Sequence, residues 1–378
     1  MTIEDVRAEI NALDSELLRL LNKRAQLALQ VGESKTASGL SLCDHTRERE
    51  VIERMCELNQ GPLDVRAIVE LFRAVIHESR RIQSRTLDES TDEAKKFEPR
   101  AGGVRVAFQG APGAFSEEAA IRLLGDDIQL VPRPTFESLF TAINDKAADY
   151  ILAPIENSLV GFVHASFDLL LESKLSIVGE IIIPIGHCLI GCPGSTFESI
   201  TTVESHPVAL DQCRRFLTAN PQLTRVAAED TAGSVERIVN EGDRSRAAIA
   251  GKRAAEQYGG IVLREHLEDS SENYTRFLLL ESAASFSAEA DKMSLVIELP
   301  HQPGALHQAL EPFARRGIDL LKIEGRPVKG RPWEYCFYLD LRGAPHHEEV
   351  RTALSELQSQ RVETRILGAY RSARVPVS

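Results

Sequence analysis

One stripe of apolar residues near the N-terminus is broken by two cations, and that break constrains the chain more than any other feature. Read from Val6, the stripe runs Ile10, Leu13, Leu17, Leu20, Arg24, Leu27, Val31 and Lys35. The steps alternate between three and four residues, the spacing that keeps one stripe of a helix turned toward a partner. Arg24 and Lys35 stand where leucine is expected. A guanidinium and an ammonium turned toward a core are costly to desolvate unless an anion meets them. Either residue alone has a plain explanation, a snorkelling arginine or a lysine on a fraying end. Two on one stripe, with polar residues on the stripe of a later helix, favour an anion pocket inside a helical bundle.

The chain has 378 residues, enough for two or three domains. Its formal net charge of -12 means that the whole molecule does not steer anions. Nucleic-acid and acidic-membrane binding are therefore disfavoured, and an anionic substrate must be held by local cations. The six cysteines are scattered through a long chain, which is not a disulfide framework. Cys188 and Cys192 form a lone C-x3-C pair with no second pair at zinc spacing, so buried thiols are expected and no metal is implied. The opening MTIEDVRAEI lacks an apolar signal core, and the longest apolar run, near Ile181 to Ile190, is broken by Pro184, Gly186 and His187. A cytoplasmic protein is expected.

Residues 1–88 read as all helix. The first helix is expected from Ile3 to about Lys35, the second from about Asp44 to Asn59, and the third from Asp64 to Thr86. One long helix and two short ones do not cover their own seam, so the pattern predicts an interleaved homodimer or a higher homo-oligomer. Residues 88–103 are a polar linker ending in Gly-Gly. Short β-rich runs then alternate with helical stretches over 104–283, an α/β texture, and a crossover near Glu180–Gly191 suggests two lobes and a cleft. Residues 292–372 follow a β-α-β-β-α-β order, the ferredoxin-like split arrangement.

In the helical module Arg7, Arg24, Lys35, Asp44, Arg47, Glu48, Ser79 and Gln83 fall on or near the seam. They are four cations, two carboxylates and two neutral hydrogen-bonders, without a nucleophile–base pair. Such a set binds a small polycarboxylate and stabilises charge separation, which is what a pericyclic rearrangement needs. The plain alternative for Asp44, Arg47 and Glu48 is a solvated helix start. The whole pattern resembles the all-helical chorismate mutase domain. The resemblance implies that Arg24, with Arg7 of a partner subunit, holds the two carboxylates of chorismate. It implies that Lys35 and Gln83 face the ether oxygen, that Asp44 and Glu48 meet the hydroxyl, and that Arg47 and Ser79 complete the shell.

In the middle block Phe108-Gln-Gly110-Ala-Pro-Gly113-Ala-Phe115-Ser116 follows a strand and opens a helix, leaving backbone N–H groups for an anion. Asp230-Thr231-Ala-Gly233-Ser234 opens another helix in the same style. Pro154-Ile155-Glu156-Asn157-Ser158 ends a strand in a polar loop. Ser205-His206-Pro207 with Gln212-Cys213, and Asn273-Tyr274-Thr275-Arg276-Phe277, complete the set. His206 could serve as an acid, but a capping or core histidine is the plainer reading. Together these segments resemble prephenate dehydratase. The resemblance implies a two-lobed, periplasmic-binding-protein-like domain in which Thr275 supplies the catalytic hydroxyl and Arg276 and Phe277 shape the site. Glu156, Asn157, Ser158 and Gln212 would line the cleft.

In the last block Gly304-Ala305-Leu306 opens a helix, and Glu324-Gly325-Arg326-Pro327 ends a strand. The block resembles the ACT domain, whose phenylalanine-sensing members hold the amino acid with a G-A-L helix start and an E-S-R-P run. Gly325 stands where that run has serine, which loses a hydroxyl contact. A purely structural dimerisation module is the alternative.

The three modules together resemble the bifunctional chorismate mutase–prephenate dehydratase family. That implies conversion of chorismate to prephenate and then to phenylpyruvate, with feedback by L-phenylalanine and without a cofactor; P-loop and dinucleotide fingerprints are absent. Two other readings remain open at this level: a non-catalytic amino-acid-sensing regulator, and a dehydratase with a silent mutase module.

Overall fold

The computed structural model describes residues 3–37, 45–69, 71–72, 75–76, 79, 103–282, 286–328, 330–331 and 334–376, with the backbone alone at 3, 32–37 and 45–49. The described residues form two compact units, one within 1–95 and one within 96–376.

In the first unit, helix α1 (Ile3–Ala37) is unbroken for 35 residues and runs through Gly32. Helix α2 (His45–Leu58) follows. Asn59 then ends it: its Oδ1 accepts from Gly61 N at 3.2 Å and its Nδ2 donates to Leu63 O at 2.7 Å. Helix α3 is described at 65–69, 71–72, 75–76 and 79. Asp64 caps it, accepting from Ala67 N at 2.7 Å. Ile68 and Ile76 of α3 are buried, whereas the α1 seam is open in this single chain: Leu13 is 64% and Leu17 56% exposed.

The second unit starts with a six-stranded sheet. It holds β1 (Val104–Gln109), β2 (Ile128–Arg133), β3 (Tyr150–Asn157), β4 (Gly161–Phe162), β5 (Ser176–Pro184) and β11 (Tyr274–Glu281). Its order is β2-β1-β3-β11-β5, with β4 beside β3. Helices α4 (Phe115–Leu124), α5 (Phe136–Thr141) and α6 (His164–Glu172) cover it. The pairs made by β1 are parallel, and those made by β11 are antiparallel, because β11 returns from a second lobe.

That lobe is a sheet of order β10-β6-β9-β7-β8. Its strands are β6 (Cys188–Gly191), β7 (Thr202–Ser205), β8 (Thr224–Ala227), β9 (Arg246–Ala250) and β10 (Ile261–Arg264). Its helices are α7 (Pro207–Gln212), α8 (Arg214–Ala219), α9 (Ala232–Glu241) and α10 (Lys252–Tyr258). Two crossovers, after β5 and before β11, join the lobes. Strands β4 and β10 are a two-residue bridge and a half-exposed edge strand, and neither carries the run of buried alternation that marks a strand in sequence. Cys188 and Cys192 are buried free thiols, and burial pushes Cys188 up to about 11.

The last block gives β12 (Lys292–Leu299), α11 (Ala305–Ala314), β13 (Leu320–Pro327), β14 (Tyr335–Arg342), α12 (Glu348–Ser359) and β15 (Glu363–Tyr370), in the sheet order β13-β14-β12-β15. Strand β12 is buried on both faces. Met293, Leu295 and Ile297 meet Phe313 of α11 and Leu357 of α12. Val296 joins Tyr338 and Tyr370 in a core shared with Phe167 and Ile177 of the first lobe. This sheet therefore lies face-on against the first lobe. Where β15 crosses β5, a Cβ on Gly368 would sit 2.1 Å from the Ile177 carbonyl oxygen, so only glycine admits the approach.

Candidate active sites

In the helical unit the inward cation is visible. Arg24 is half-buried, and its Nη1 donates to Ser79 Oγ and, at 3.4 Å, to the Val75 carbonyl oxygen of α3. Ser79 is itself buried and donates back to Val75 O at 2.7 Å. Arg7 lies exposed on α1. The side chains of Lys35, Asp44, Arg47, Glu48 and Gln83 lie outside the described residues, so the structure joins only Arg24 and Ser79 of the expected set.

In the second unit a cleft of about 420 Å³ lies between the two α/β lobes. Gln109, Phe115, Ser116, Asn157, Thr275 and Phe277 line it from one side, and His206, Gln212, Asp230 and Thr231 from the other. Among the described residues, no Lys or Arg lines it. The N-terminal ends of α4 and α9 form part of the wall, through Phe115 and Ser116 of the one and Ala232 of the other, and a helix N-terminus favours negative charge. Asp230 already occupies part of the α9 terminus by accepting from Gly233 N. Gly113 lets the two lobes approach, since a Cβ there would meet the Ala254 backbone at 2.9 Å and its φ is +82°.

Thr275 sits on β11 opposite Asn157 of β3, beside a β-bulge that leaves Ile155 without a partner on β11. The Asn157 side chain has one orientation. Its Oδ1 accepts from the N–H groups of Leu159 and Val160, both at 3.0 Å. Its Nδ2 therefore faces Asn273 Oδ1 at 2.8 Å, Tyr274 O at 3.0 Å and Thr275 Oγ1 at 3.0 Å. With its oxygen accepting from Asn157, the Thr275 hydroxyl has its own proton left to donate into the cleft.

Across the cleft, His187 Nε2 meets Gln212 Oε1 at 2.8 Å, which requires the Nε2–H tautomer and orients Gln212. Burial pushes the His187 imidazole below its ordinary value, against the opposing Gln212 hydrogen bond and the nearby Glu268 charge. His206 caps α7: its Nδ1 accepts from Val208 N at 3.3 Å, which agrees with the capping reading.

Three residues expected at the cleft are turned elsewhere. Ser158 Oγ donates to Glu272 O at 2.7 Å and accepts from Tyr274 N, pinning the strand ends. Glu156 is paired with Lys322 of β13. Arg276 projects from the opposite face of β11 to Thr275 and Phe277, as alternation along a strand requires. It is 8% exposed and forks between Glu180 Oε2 and Asp340 Oδ2, each at 2.6 Å, with Tyr370 Oη at 3.0 Å. Lys292 Nζ reaches Glu180 at 2.9 Å, and Ser294 donates to Asp340. Burial alone would raise the Asp340 carboxyl, but Arg276, Lys292 and the hydroxyls hold it below its ordinary value. Sequence reasoning missed Glu180, Lys292 and Asp340. The available signal was a lone charge inside an apolar strand, as in IVGEIII and FYLDL.

In the last block Gly304 caps α11 with φ +83°, and Ala305 is buried. Leu306 packs against the core beneath α11. Arg326 is committed to α6, donating to Asp168 at 2.7 Å and meeting His164 Nδ1 at 3.0 Å. A Cβ at Gly325 would lie 3.3 Å from the Phe337 ring on β14, a tight contact. Glu324 and Pro327 complete that end of β13.

Three family patterns match the chain: chorismate mutase type II over residues 6–84, prephenate dehydratase over 106–285 and the ACT domain over 293–358. A bifunctional chorismate mutase/prephenate dehydratase of Aquifex aeolicus is 35% identical over 98% of both chains. Among solved structures, the prephenate dehydratase of Arthrobacter aurescens in complex with L-Phe is 32% identical with a TM-score of 0.65, covering 71% of this chain and 90% of that one. A quorum-quenching acylase, GqqA, is 34% identical with a TM-score of 0.65, over 71% and 98%. Nearly full-length identity across all three modules assigns the whole chain: it belongs to the bifunctional chorismate mutase/prephenate dehydratase family.

Proposed function

We propose that this chain rearranges chorismate to prephenate in its helical unit and converts prephenate to phenylpyruvate in the cleft between its α/β lobes. The modules are 1–88, 104–283 and 292–372. In the first reaction a carbon–oxygen bond breaks as a carbon–carbon bond forms, and no proton moves. The site needs cations held against a dianion, and Arg24, tethered inward on Ser79, supplies one. Arg7 of a second copy and Lys35 supply further charge and Gln83 a neutral hydrogen bond at the ether oxygen, with Asp44 and Glu48 at the hydroxyl and Arg47 and Ser79 completing the shell. The open leucine seam of α1 supports a homodimer in which a second copy covers it.

In the second reaction the ring carboxylate leaves as carbon dioxide, its bonding electrons enter the ring, and the hydroxyl on the far carbon leaves with a proton as water. Aromatisation drives the step, so a modest donor suffices. The Thr275 hydroxyl, oriented by Asn157, donates to the departing oxygen, and that hydrogen bond is the observation that carries the proposal. Helix N-termini and Gln212 receive the carboxylates. L-phenylalanine binds the ACT domain as effector, near Gly304–Leu306 and Glu324–Pro327. Among the described residues no helix is long and apolar enough to cross a membrane, and a cytoplasmic enzyme without a cofactor fits this reading. Purified chain given chorismate tests it. Prephenate and then phenylpyruvate should form, and Lys35→Ala should leave chorismate unconsumed; unchanged turnover by that variant would remove Lys35 from the site.

A further inference from the structure

Four charged residues stand directly behind the Thr275–Asn157 pair, and their registers match across two sheets. Arg276 is paired with Glu156 across β11 and β3. Lys322 is paired with Asp340 across β13 and β14. The two cross-strand pairs face each other with opposite signs. Arg276 binds Asp340 at 2.6 Å, and Glu156 binds Lys322. Lys322 also lies over the Phe162 ring, 4.2 Å from its centroid, and Phe162 is the partner of Glu156 on β4. One residue further along each strand of the first lobe, on the cleft side, are Thr275 and Asn157 themselves, joined at 3.0 Å.

We infer that Glu156 and Arg276 are positioning residues, which fix the Thr275–Asn157 hydrogen bond by locking β3 and β11 to Lys322 and Asp340 of the ACT-domain sheet. This rests on the reading of Thr275 as the donor in the dehydratase step. Neither residue touches the cleft, and each is one peptide away from a residue that does. A displacement of β13 or β14 is passed through two ion pairs to the strands that carry the donor and its orienting amide. Strand β13 also carries Glu324–Pro327, two residues beyond Lys322, so an effector that moves this strand reaches the cleft along a path of two side chains. The charges balance, two cations against two carboxylates once Lys292 and Glu180 are paired off, so the lock is neutral and tolerates burial.

Arg276 is the poorer probe, because its removal strands buried Glu180 and Asp340 and endangers the fold. The half-buried Glu156–Lys322 pair is the testable one. Lys322→Ala, Lys322→Arg, Glu156→Gln and the double Lys322→Ala/Glu156→Gln are assayed on prephenate, with Thr275→Val alongside. Lys322→Ala should lower kcat about tenfold with KM within about twofold, Lys322→Arg should restore it, and the double variant should lose no more than either single one. A wild-type kcat in Lys322→Ala, or additive losses in the double variant, overturns the lock. An active Thr275→Val overturns the underlying reading instead, so the two failures are separable.

Discussion

The Thr275 hydroxyl can be removed with little else disturbed, which makes Thr275→Val the sharpest probe of the dehydratase site. Valine keeps the shape and the β-branching of threonine at a residue that is 9% exposed. Asn157 Nδ2 loses one acceptor but keeps Asn273 Oδ1 at 2.8 Å and Tyr274 O at 3.0 Å. The cost to stability is that of one hydrogen bond, about 1 kcal/mol. Catalysis loses a preorganised donor, which is worth about 10²–10³ in kcat, or roughly 2.7–4 kcal/mol. The assay is phenylpyruvate formation from prephenate at saturation, beside a thermal melt. The expected result is a near-native melt with kcat down by at least about a hundredfold, and a Thr275→Ser chain that retains most of its activity. A Thr275→Val chain within about fivefold of wild type would show that the hydroxyl is not the donor.

Other outcomes follow from the packing. Gly368→Ala forces a methyl onto the Ile177 carbonyl oxygen, so the β15–β5 contact must open; thermal denaturation should show a loss of about 1–3 kcal/mol or more, and an unchanged melt would contradict the close approach. His187 is held neutral because its folded value lies below its unfolded one. The unfolded chain takes up a proton as pH falls through 6.5 while the native chain does not. Its contribution to stability is therefore complete above that pH and declines below it, by at most about 1.4 kcal/mol per pH unit, until the depressed native value is reached. Denaturant midpoints from pH 7.5 to pH 5 should fall more steeply in wild type than in His187→Asn, and parallel curves would refute the assignment. Leu13→Glu on the open α1 seam should abolish chorismate turnover and reduce the mass seen by sedimentation, while prephenate turnover persists; a dimeric, active variant would show that the seam is not the interface.

Much of this was legible in the residues. The 3–4 spacing of the α1 seam placed Arg24 inward, and the structure closes it onto Ser79, 55 residues away. The strand–loop junctions at Asn157 and Thr275 marked the cleft because polar residues ended apolar runs. What the residues did not disclose is the second face of the β12–β15 sheet. Val296, Tyr338 and Tyr370 look like ordinary strand residues until the first lobe is docked on them, and the docking depends on a shape match that no local pattern records. The same gap explains Glu156 and Arg276. Motif membership put them with the cleft residues, whereas strand alternation turned Arg276 toward Asp340 and the bulge at Ile155 sent Glu156 toward Lys322. Gly325 is a third case, since its tight approach to the ring of Phe337 on the neighbouring strand is invisible in the sequence.

The central claim is that one chain holds two independent sites, with Arg24 serving the first and Thr275 the second. The direct measurement is a complementation assay with chorismate as sole substrate, following phenylpyruvate from Arg24→Ala alone, Thr275→Val alone and an equal mixture. Neither variant alone should form phenylpyruvate at more than about a hundredth of the wild-type rate, Thr275→Val should accumulate prephenate, and the mixture should regain the product. Phenylpyruvate from either variant alone at the wild-type rate, or a mixture that stays inactive while Thr275→Val accumulates prephenate, would contradict the account.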